Sequence, residues 1–193
     1  MVLAGGTSTR FGGDKLAVLL DQVLAGLPPQ VAVVCVGPAR PTVRSPVTWV
    51  REDPPLSGPL AAVAAGVAAG DGPVVVVVGG DMPRVGAAVG ALLVALETAG
   101  DRPAGGGPVD GAVLVDGEGA VQLLASAWHR DRLVGRLADL AGEAAPGTRP
   151  SGSAAGSGLA GVPLRLLGRG ARLVEVTDLW GAGRDVDTPA DLW

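Results

Sequence analysis

The chain has 193 residues, of which 48% are hydrophobic, and a formal net charge of −4 at pH 7. This length predicts one domain over residues 1–193, and so large an apolar fraction excludes a disordered chain. The negative charge gives no general reason to expect binding to nucleic acid or to an anionic membrane. The single cysteine, Cys35, excludes an internal disulfide framework.

No segment approaches the roughly 18 consecutive apolar residues of a membrane span. The N-terminus shows no basic stretch followed by an apolar core, so a secretory signal is not predicted. We therefore expect a cytoplasmic protein, a monomer or weak oligomer, without a nucleic-acid or membrane partner.

Strand-like and helix-like segments alternate along the first part of the chain. A short apolar run leads into a glycine-rich loop over residues 5–13, and Pro59 stands at the first turn of an Ala-rich helix, where a missing N–H is harmless. In chain order we predict strands over residues 2–4, 31–36 and 47–50, and helices over residues 19–27 and 59–69.

Five consecutive valines over residues 74–78 are the strongest strand signal in the sequence. β-Branched residues without alternation suit a strand that is buried on both faces, which predicts a central strand of a parallel sheet. This strand leads into Gly79-Gly80-Asp81-Met82-Pro83, and we predict a helix over residues 85–97.

The rest of the chain continues the mixed pattern. We predict two strands joined by a hairpin loop, and residues 146–161, rich in Gly, Ser, Ala and Pro, predict a mobile loop. Together the segments predict an α/β fold with a doubly wound, mostly parallel sheet. The remaining predicted elements are strands over 112–115, 121–124 and 172–176, helices over 131–141 and 163–167, and a terminal helix opened by Asp187-Thr188-Pro189.

The glycine-rich loop is followed by the only lysine of the chain, Lys15, and the other 14 of the 15 basic residues are arginines. Lys is a compact charge on a flexible stem, so we interpret Lys15 as an ammonium that reaches a phosphate in a narrow site. The backbone N–H groups of Gly5 and Gly6 can turn toward the same anion, and Arg10 can add a charge-assisted bond. Because Asp14 precedes the lysine and no Ser or Thr follows it, this is not a Walker A loop. A glycine-rich loop alone could also be a simple turn.

Asp81 stands just past the five-valine strand. In an open α/β sheet, ligands bind beyond the carboxyl ends of the strands. A carboxylate there can hold Mg²⁺, which usually binds one or two carboxylates together with substrate phosphates. Asp81 also suits the N-cap of the following helix, and the two roles are compatible.

Four motifs follow one another along residues 3–192: LAGGTSTRFGGDK, DPPLSGPLAA, GGDMP and DVDTPADL. Together they resemble the MobA-like nucleotidyltransferases, which include molybdenum cofactor guanylyltransferase and its cytidylyltransferase relatives. The resemblance implies a three-layer, Rossmann-like nucleotidyltransferase fold.

The resemblance also implies roles for single residues. Asp81 would bind Mg²⁺, and Asp187 of the closing motif would be a second metal ligand. The segment from Gln122 to Ser126 is similar to a segment on the family's acceptor side. With the loop glycines included, the nucleotide would be bound at Leu3, Ala4, Gly5, Gly6, Lys15, Asp53 and Asp81.

The implied reaction transfers GMP from GTP to molybdopterin and releases pyrophosphate, with Arg10, Lys15 and Asp81 as the catalytic residues. The closing motif has Asp185 and Asp187 where guanylyltransferases usually carry Asn, which favours CTP as an alternative donor. Asp14 before Lys15 disfavours transfer to a sugar phosphate, since those enzymes usually carry Pro-Lys. A non-catalytic nucleotide-binding accessory module and a redox dinucleotide-binding domain are further alternatives.

Overall fold

The computed structural model describes residues 1–5, 13–100, 107–144 and 157–192. Within these ranges, seven strands form one sheet in the spatial order β3-β2-β1-β4-β6-β5-β7. The strands are β1 (Val2–Leu3), β2 (Val34–Val36), β3 (Thr48–Val50), β4 (Val74–Gly79), β5 (Gly111–Val115), β6 (Val121–His129) and β7 (Leu173–Thr177).

The sheet is mostly parallel, as the alternation of segments predicts. β3, β2, β1 and β4 run parallel to one another, and β5 runs parallel to β7. β6 is antiparallel to both of its neighbours, β4 and β5. The prediction of a central position for the five-valine strand is confirmed, but the prediction of parallel neighbours holds on the β1 side only.

β1 is central although it is only two residues long. Val2 pairs with Cys35 of β2 on one side and with Val78 of β4 on the other, and it is fully buried. Because β1 lies in the middle of the sheet, the backbone that follows it emerges at the carboxyl edge, between the ends of β2 and β4.

Helices cover both faces of the sheet, which confirms the three-layer α/β architecture. The two large apolar clusters join α1 and α3 to one face of the sheet, and α2, α4 and α5 to the opposite face. Both clusters contain fully buried leucines, such as Leu92 in the first and Leu133 in the second. The helices are α1 (Lys15–Gly26), α2 (Pro59–Ala68), α3 (Gly86–Gly100), α4 (Arg130–Ala144) and α5 (Arg165–Gly168).

Two element boundaries differ from the sequence predictions for identifiable reasons. α1 begins at Lys15, four residues earlier than predicted, because Asp14 caps it and accepts a hydrogen bond from the Ala17 amide at 3.2 Å. β6 extends to His129 because its second half pairs with β4, from Ala125 opposite Val78 to His129 opposite Val74.

The C-terminal segment closes the fold with little regular structure. The predicted terminal helix is a short 3₁₀ turn, Pro189–Leu192, and a second such turn is Ser157–Leu159. Most of the loop predicted over residues 146–161 lies outside the described residues. In the described ranges, no helix is both long enough and apolar enough to cross a bilayer.

Candidate functional site

The carboxyl ends of β2, β1 and β4 meet at one edge of the sheet. β1 continues into Ala4 and Gly5, β2 into Gly37, and β4 into Gly80 and Asp81. Backbone hydrogen bonds join these ends, from the Ala4 amide to Val36 O at 2.8 Å and from the Gly80 amide to Leu3 O at 2.9 Å. The edge therefore presents the exits of three parallel strands side by side, as the sequence predicts for Asp81.

Two glycines let these strand ends approach closely. Gly37 has φ +148°, and a Cβ there would collide with the carbonyl oxygen of Ala4. A Cβ at Gly80 would lie 2.9 Å from Leu3 O and 3.0 Å from Leu16 Cδ2. The backbone after β1 is thus clamped between two positions that only glycine fits well.

Lys15 reaches this edge from the first position of α1. Its side chain is only 10% exposed and runs toward the carboxyl end of β4. The ammonium donates a hydrogen bond to Asp81 Oδ2 at 2.8 Å and lies 3.5 Å from Asp187 Oδ1. Two carboxylates that are 106 positions apart in sequence, counted as 187 minus 81, therefore converge on a single cation.

The ammonium of Lys15 stays charged in this setting. Burial acts to lower its pKa, but the hydrogen bond and charge of Asp81, and then the charge of Asp187, outweigh burial and raise the pKa above its ordinary value. The contact at neutral pH is therefore an ion pair and not a neutral hydrogen bond.

Backbone contacts hold Asp187 close to Lys15 and Asp81. The amide of Val186, a buried residue, donates to the carbonyl oxygen of Asp81 at 3.0 Å. On the other side, Asp191 accepts hydrogen bonds from both the amide and the hydroxyl of Thr188, each at 2.8 Å. The closing motif is therefore attached directly to the strand end that carries the first aspartate.

A further ion pair at this edge escapes the sequence analysis. Arg40, three residues past Gly37, donates to Asp14 Oδ1 at 2.9 Å and to Oδ2 at 2.8 Å. This guanidinium holds the pKa of the Asp14 carboxyl below its usual range. The pair ties the loop after β2 to the start of α1. The sequence offers Asp14 as an N-cap candidate, but nothing in it indicates that Arg40 is the partner of Asp14.

Other predicted site residues fall in three groups. Gly6 and Arg10 lie outside the described residues. Leu3, Ala4 and Gly5 follow the central strand to the edge where the carboxylates converge. Asp53 is exposed beyond β3, the edge strand of the sheet, so β2 separates its strand from β1.

Gln122, on the segment assigned to the acceptor side, lies at the start of β6. Its side-chain amide donates to Asp116 Oδ2 at 2.8 Å. The Ala120 amide, the Gln122 side chain and the Glu118 amide all donate to Asp116, and these hydrogen bonds hold the pKa of its carboxyl below the usual range. The hairpin between β5 and β6 therefore fixes the orientation of Gln122 at the same edge of the sheet as Asp81.

The negative charges of Asp81 and Asp187 and the exposure of their side chains to solvent suit the binding of a divalent cation. Both carboxylates already face one positive charge, and their side chains are 29% and 54% exposed, which leaves oxygen atoms free for a metal and its water. In the described part of the chain, no group of three or more His, Cys, Asp or Glu side chains is arranged to hold a metal. A two-carboxylate site fits Mg²⁺ bound jointly with phosphate, since Mg²⁺ is seldom held by the protein alone.

Comparison with known proteins identifies the family. Residues 1–150 match the MobA-like NTP transferase domain. The chain belongs to this family. It is therefore a nucleotidyltransferase of the MobA-like type, and the family resemblance found in the sequence motifs is confirmed. No relative that matches the chain was found among curated proteins.

Solved structures share the fold along almost the whole chain. One is molybdopterin-guanine dinucleotide biosynthesis protein A from Archaeoglobus fulgidus, with TM-score 0.62, 17% identity, and coverage of 99% of this chain and 93% of that one. A second is 2-C-methyl-D-erythritol 4-phosphate cytidylyltransferase from Thermus thermophilus, with TM-score 0.59, 18% identity, and coverage of 99% and 93%. A third is a nucleotidyl transferase from Methanothermobacter thermautotroptrophicus, with TM-score 0.54, 19% identity, and coverage of 99% and 92%. At these identities the likeness concerns the fold.

Proposed function

We propose that this MobA-like nucleotidyltransferase transfers GMP from GTP to a molybdopterin-type acceptor in a Mg²⁺-dependent reaction that releases pyrophosphate. The observation that carries the proposal is the convergence of Asp81 and Asp187 on the Lys15 ammonium, at the carboxyl edge of the parallel strands. One cation beside two carboxylates suits a triphosphate that binds together with a divalent cation.

In the proposed reaction, the terminal phosphate of the acceptor attacks the α-phosphorus of GTP in line with the leaving pyrophosphate. A phosphate oxygen is already an adequate nucleophile, so no general base is required. The chain contributes position and charge: the N–H groups of Gly5 and Gly6 hold the phosphates, while Lys15 and Arg10 offset the negative charge that develops on the leaving group.

Asp81 and Asp187 would hold Mg²⁺, which supplies charge neutralisation and orientation of the phosphate oxygens when it is bound. Asp81 is the stronger candidate, because it is the second residue after β4 and its carboxylate packs into the space that Gly79 leaves by lacking a side chain: a Cβ at Gly79 would lie 2.8 Å from Asp81 Oδ1. Asp187 follows a segment without a strand or helix and has a more exposed side chain.

A second candidate donor is CTP. The closing motif has Asp185 and Asp187 where guanylyltransferases of the family usually have asparagines, which is closer to the cytidylyltransferase relatives. The fold is also shared with a cytidylyltransferase as fully as with a molybdopterin-guanine dinucleotide biosynthesis protein. The base preference therefore needs a direct comparison of donors.

The decisive experiment offers the protein GTP, CTP, ATP and UTP separately, with Mg²⁺ and molybdopterin, and follows pyrophosphate release and the mass of the product. Formation of the guanine dinucleotide from GTP alone supports the proposal, and a cytosine product moves the assignment to CTP. Nucleotide binding without pyrophosphate release from any donor would contradict transfer and favour a non-catalytic accessory module. Asp81→Asn is the matched control for background hydrolysis.

A further inference from the structure

Two large apolar side chains are exposed side by side in the turn that follows β7. Leu179 is 73% exposed and Trp180 is 53% exposed. The other tryptophans in the part of the chain that the structure describes, Trp49 and Trp128, pack into the apolar clusters. Because a contiguous exposed apolar surface marks a site of interaction, this turn is a candidate contact surface for a ligand.

Asp178 holds the turn in one shape. Its carboxylate accepts hydrogen bonds from three backbone amides, those of Trp180 at 3.1 Å, Ala182 at 2.9 Å and Gly183 at 2.8 Å. Its own amide donates to Val115 O at 2.8 Å, which attaches the turn to the end of β5. The indole is therefore carried on an ordered backbone, so a ligand that binds there does not have to order the loop first.

The turn lies at the same edge of the sheet as Asp81. β7 is parallel to β5, and β6 is antiparallel to both β5 and β4, so β4 and β7 end at one edge. From the turn the chain returns toward β4, where the Val186 amide donates to Asp81 O at 3.0 Å. Residues 178–187 therefore connect Trp180 with Asp187 along this edge. Three strand spacings separate β7 from β4, which places the two ends of the segment about 14 Å apart.

The turn packs on the hairpin that carries Gln122, the segment assigned to the acceptor side. A Cβ at Gly183 would lie 3.0 Å from Leu114 Cδ2 and 3.2 Å from Gln122 Cγ. By contrast, Gly5 of the predicted nucleotide contacts follows β1, and β4, β6 and β5 separate β1 from β7. A ring bound at Trp180 would therefore lie on the acceptor side and not beside the phosphates of the nucleotide.

We propose that Trp180 is the stacking surface for the ring of the acceptor, and that this ring is a planar fused heteroaromatic system of the pterin type. The inference rests on the proposed transfer to a phosphorylated acceptor: the attacking phosphate lies near Asp81 and Asp187, and the rest of the acceptor extends along residues 178–187. A phosphate joined to a fused ring through a short link has a suitable length for this path. The face of an indole stacks well on such a ring, whereas an aliphatic acceptor gains less from it.

The test makes two measurements on the full chain and on its Trp180→Ala and Trp180→Phe variants. Equilibrium dialysis measures the binding of a pterin monophosphate in the presence of Mg²⁺. Steady-state transfer to molybdopterin, from GTP and from CTP, gives kcat and the KM of each substrate. Val94→Ala is the matched control, because it truncates a side chain on α3 that is apolar and 62% exposed. Thermal unfolding of all four proteins checks that their folds are intact.

We expect Trp180→Ala to weaken the binding of pterin monophosphate and to raise the KM for molybdopterin, each by about tenfold, because one stacking contact is lost. The KM for the nucleotide and kcat at saturating acceptor should change less than about twofold, since Trp180 lies away from the reacting phosphates. Trp180→Phe should recover most of the loss because it keeps an aromatic face.

Equal binding of pterin monophosphate by the wild type and Trp180→Ala would overturn the proposal, as would no measurable binding by the wild type. A loss that Trp180→Phe does not recover would also contradict stacking. The two proposals fail separately. Transfer to molybdopterin that is insensitive to Trp180→Ala would refute the stacking surface and leave nucleotidyl transfer intact. Pterin binding that depends on Trp180, without pyrophosphate release from any donor, would keep the stacking surface and refute transfer.

Discussion

The Lys15 ammonium and the Asp81 carboxylate form a hydrogen-bonded ion pair of 2.8 Å between the first residue of α1 and the second residue after β4. Asp187 lies 3.5 Å from the same ammonium. Lys15 thus occupies the position that a divalent cation would share with these two carboxylates. The metal and the lysine compete for the negative charge of these carboxylates unless a nucleotide phosphate draws the ammonium away.

Replacing Lys15 by Met should therefore strengthen the binding of a divalent cation in the absence of nucleotide. Removal of a neighbouring positive charge favours a second cation by about 1.4 kcal/mol or more, which is about tenfold in affinity. Mn²⁺ binding followed by electron paramagnetic resonance measures the change. The control is Arg132→Met, which removes an exposed cation on α4, away from Lys15 and its two carboxylates. Weaker or unchanged Mn²⁺ binding by the Lys15 variant would show that the competition is absent.

Asp81→Asn should reduce nucleotidyl transfer by about 10²-fold or more, because it removes the more firmly positioned carboxylate while keeping the shape of the side chain. Asp187→Asn should cost less, since its carboxylate is farther from Lys15 and more exposed. The rate of pyrophosphate release at saturating GTP and Mg²⁺ gives the turnover of each variant relative to the wild type. A larger loss for Asp187→Asn than for Asp81→Asn would reverse the proposed order of the two ligands.

Arg44 should contribute strongly to stability, because its guanidinium donates to several backbone carbonyls where α1 ends. The acceptors are Leu24, Leu27, Pro28, Pro29 and Val31. Arg44→Met leaves these carbonyls without the donor, and we expect a loss of about 2–3 kcal/mol in the free energy of unfolding. Urea unfolding measures it. Arg44→Lys keeps the charge but not the planar fork, so it should recover only a minor part, and full recovery would argue for a purely electrostatic role.

Gly37→Ala should weaken both stability and nucleotide binding. The added Cβ would collide with the Ala4 carbonyl at φ +148°, which costs about 3 kcal/mol and displaces the backbone that leads to Gly5. Gly119→Ala is a matched control, since Gly119 also has a positive φ, +85°, but a Cβ there meets nothing within 4 Å. Equal effects of the two substitutions on GTP-induced thermal shifts would mean that the close approach at Ala4 is unimportant.

The buried thiol of Cys35 should make the protein less stable at high pH. Burial, slightly opposed by the charge of the Met1 ammonium, raises its pKa from 9.0 to about 11. Above pH 9 the unfolded chain loses the thiol proton while the folded chain keeps it, so the free energy of unfolding falls as pH rises toward 11, by roughly 2 kcal/mol. Urea unfolding of the wild type and Cys35→Ala between pH 8 and 10.5 isolates this effect, and parallel pH profiles for the two proteins would refute it.

Local sequence signals anticipated much of the architecture. Five β-branched residues in a row can be buried on both faces, so they marked β4 as a central strand, and Pro59 marked the first turn of α2. The position of Asp81 followed from the same reasoning, because a residue just past a central strand must lie at a carboxyl edge. The four motifs indicated the family, which the pattern of hydrophobic residues could not identify.

Only the tertiary structure decided which distant groups meet. The family resemblance implied that Asp187 and Asp81 share one metal site. The direct contact of Asp187 with Lys15, the pairing of Asp14 with Arg40, and the extension of β6 along β4 join positions whose separation in sequence carries no signal. Such contacts depend on strand order and register, which are set by packing across the whole sheet. Residue types and their periodicity therefore specify each element and its buried face, whereas the site arises from how the elements are placed against one another.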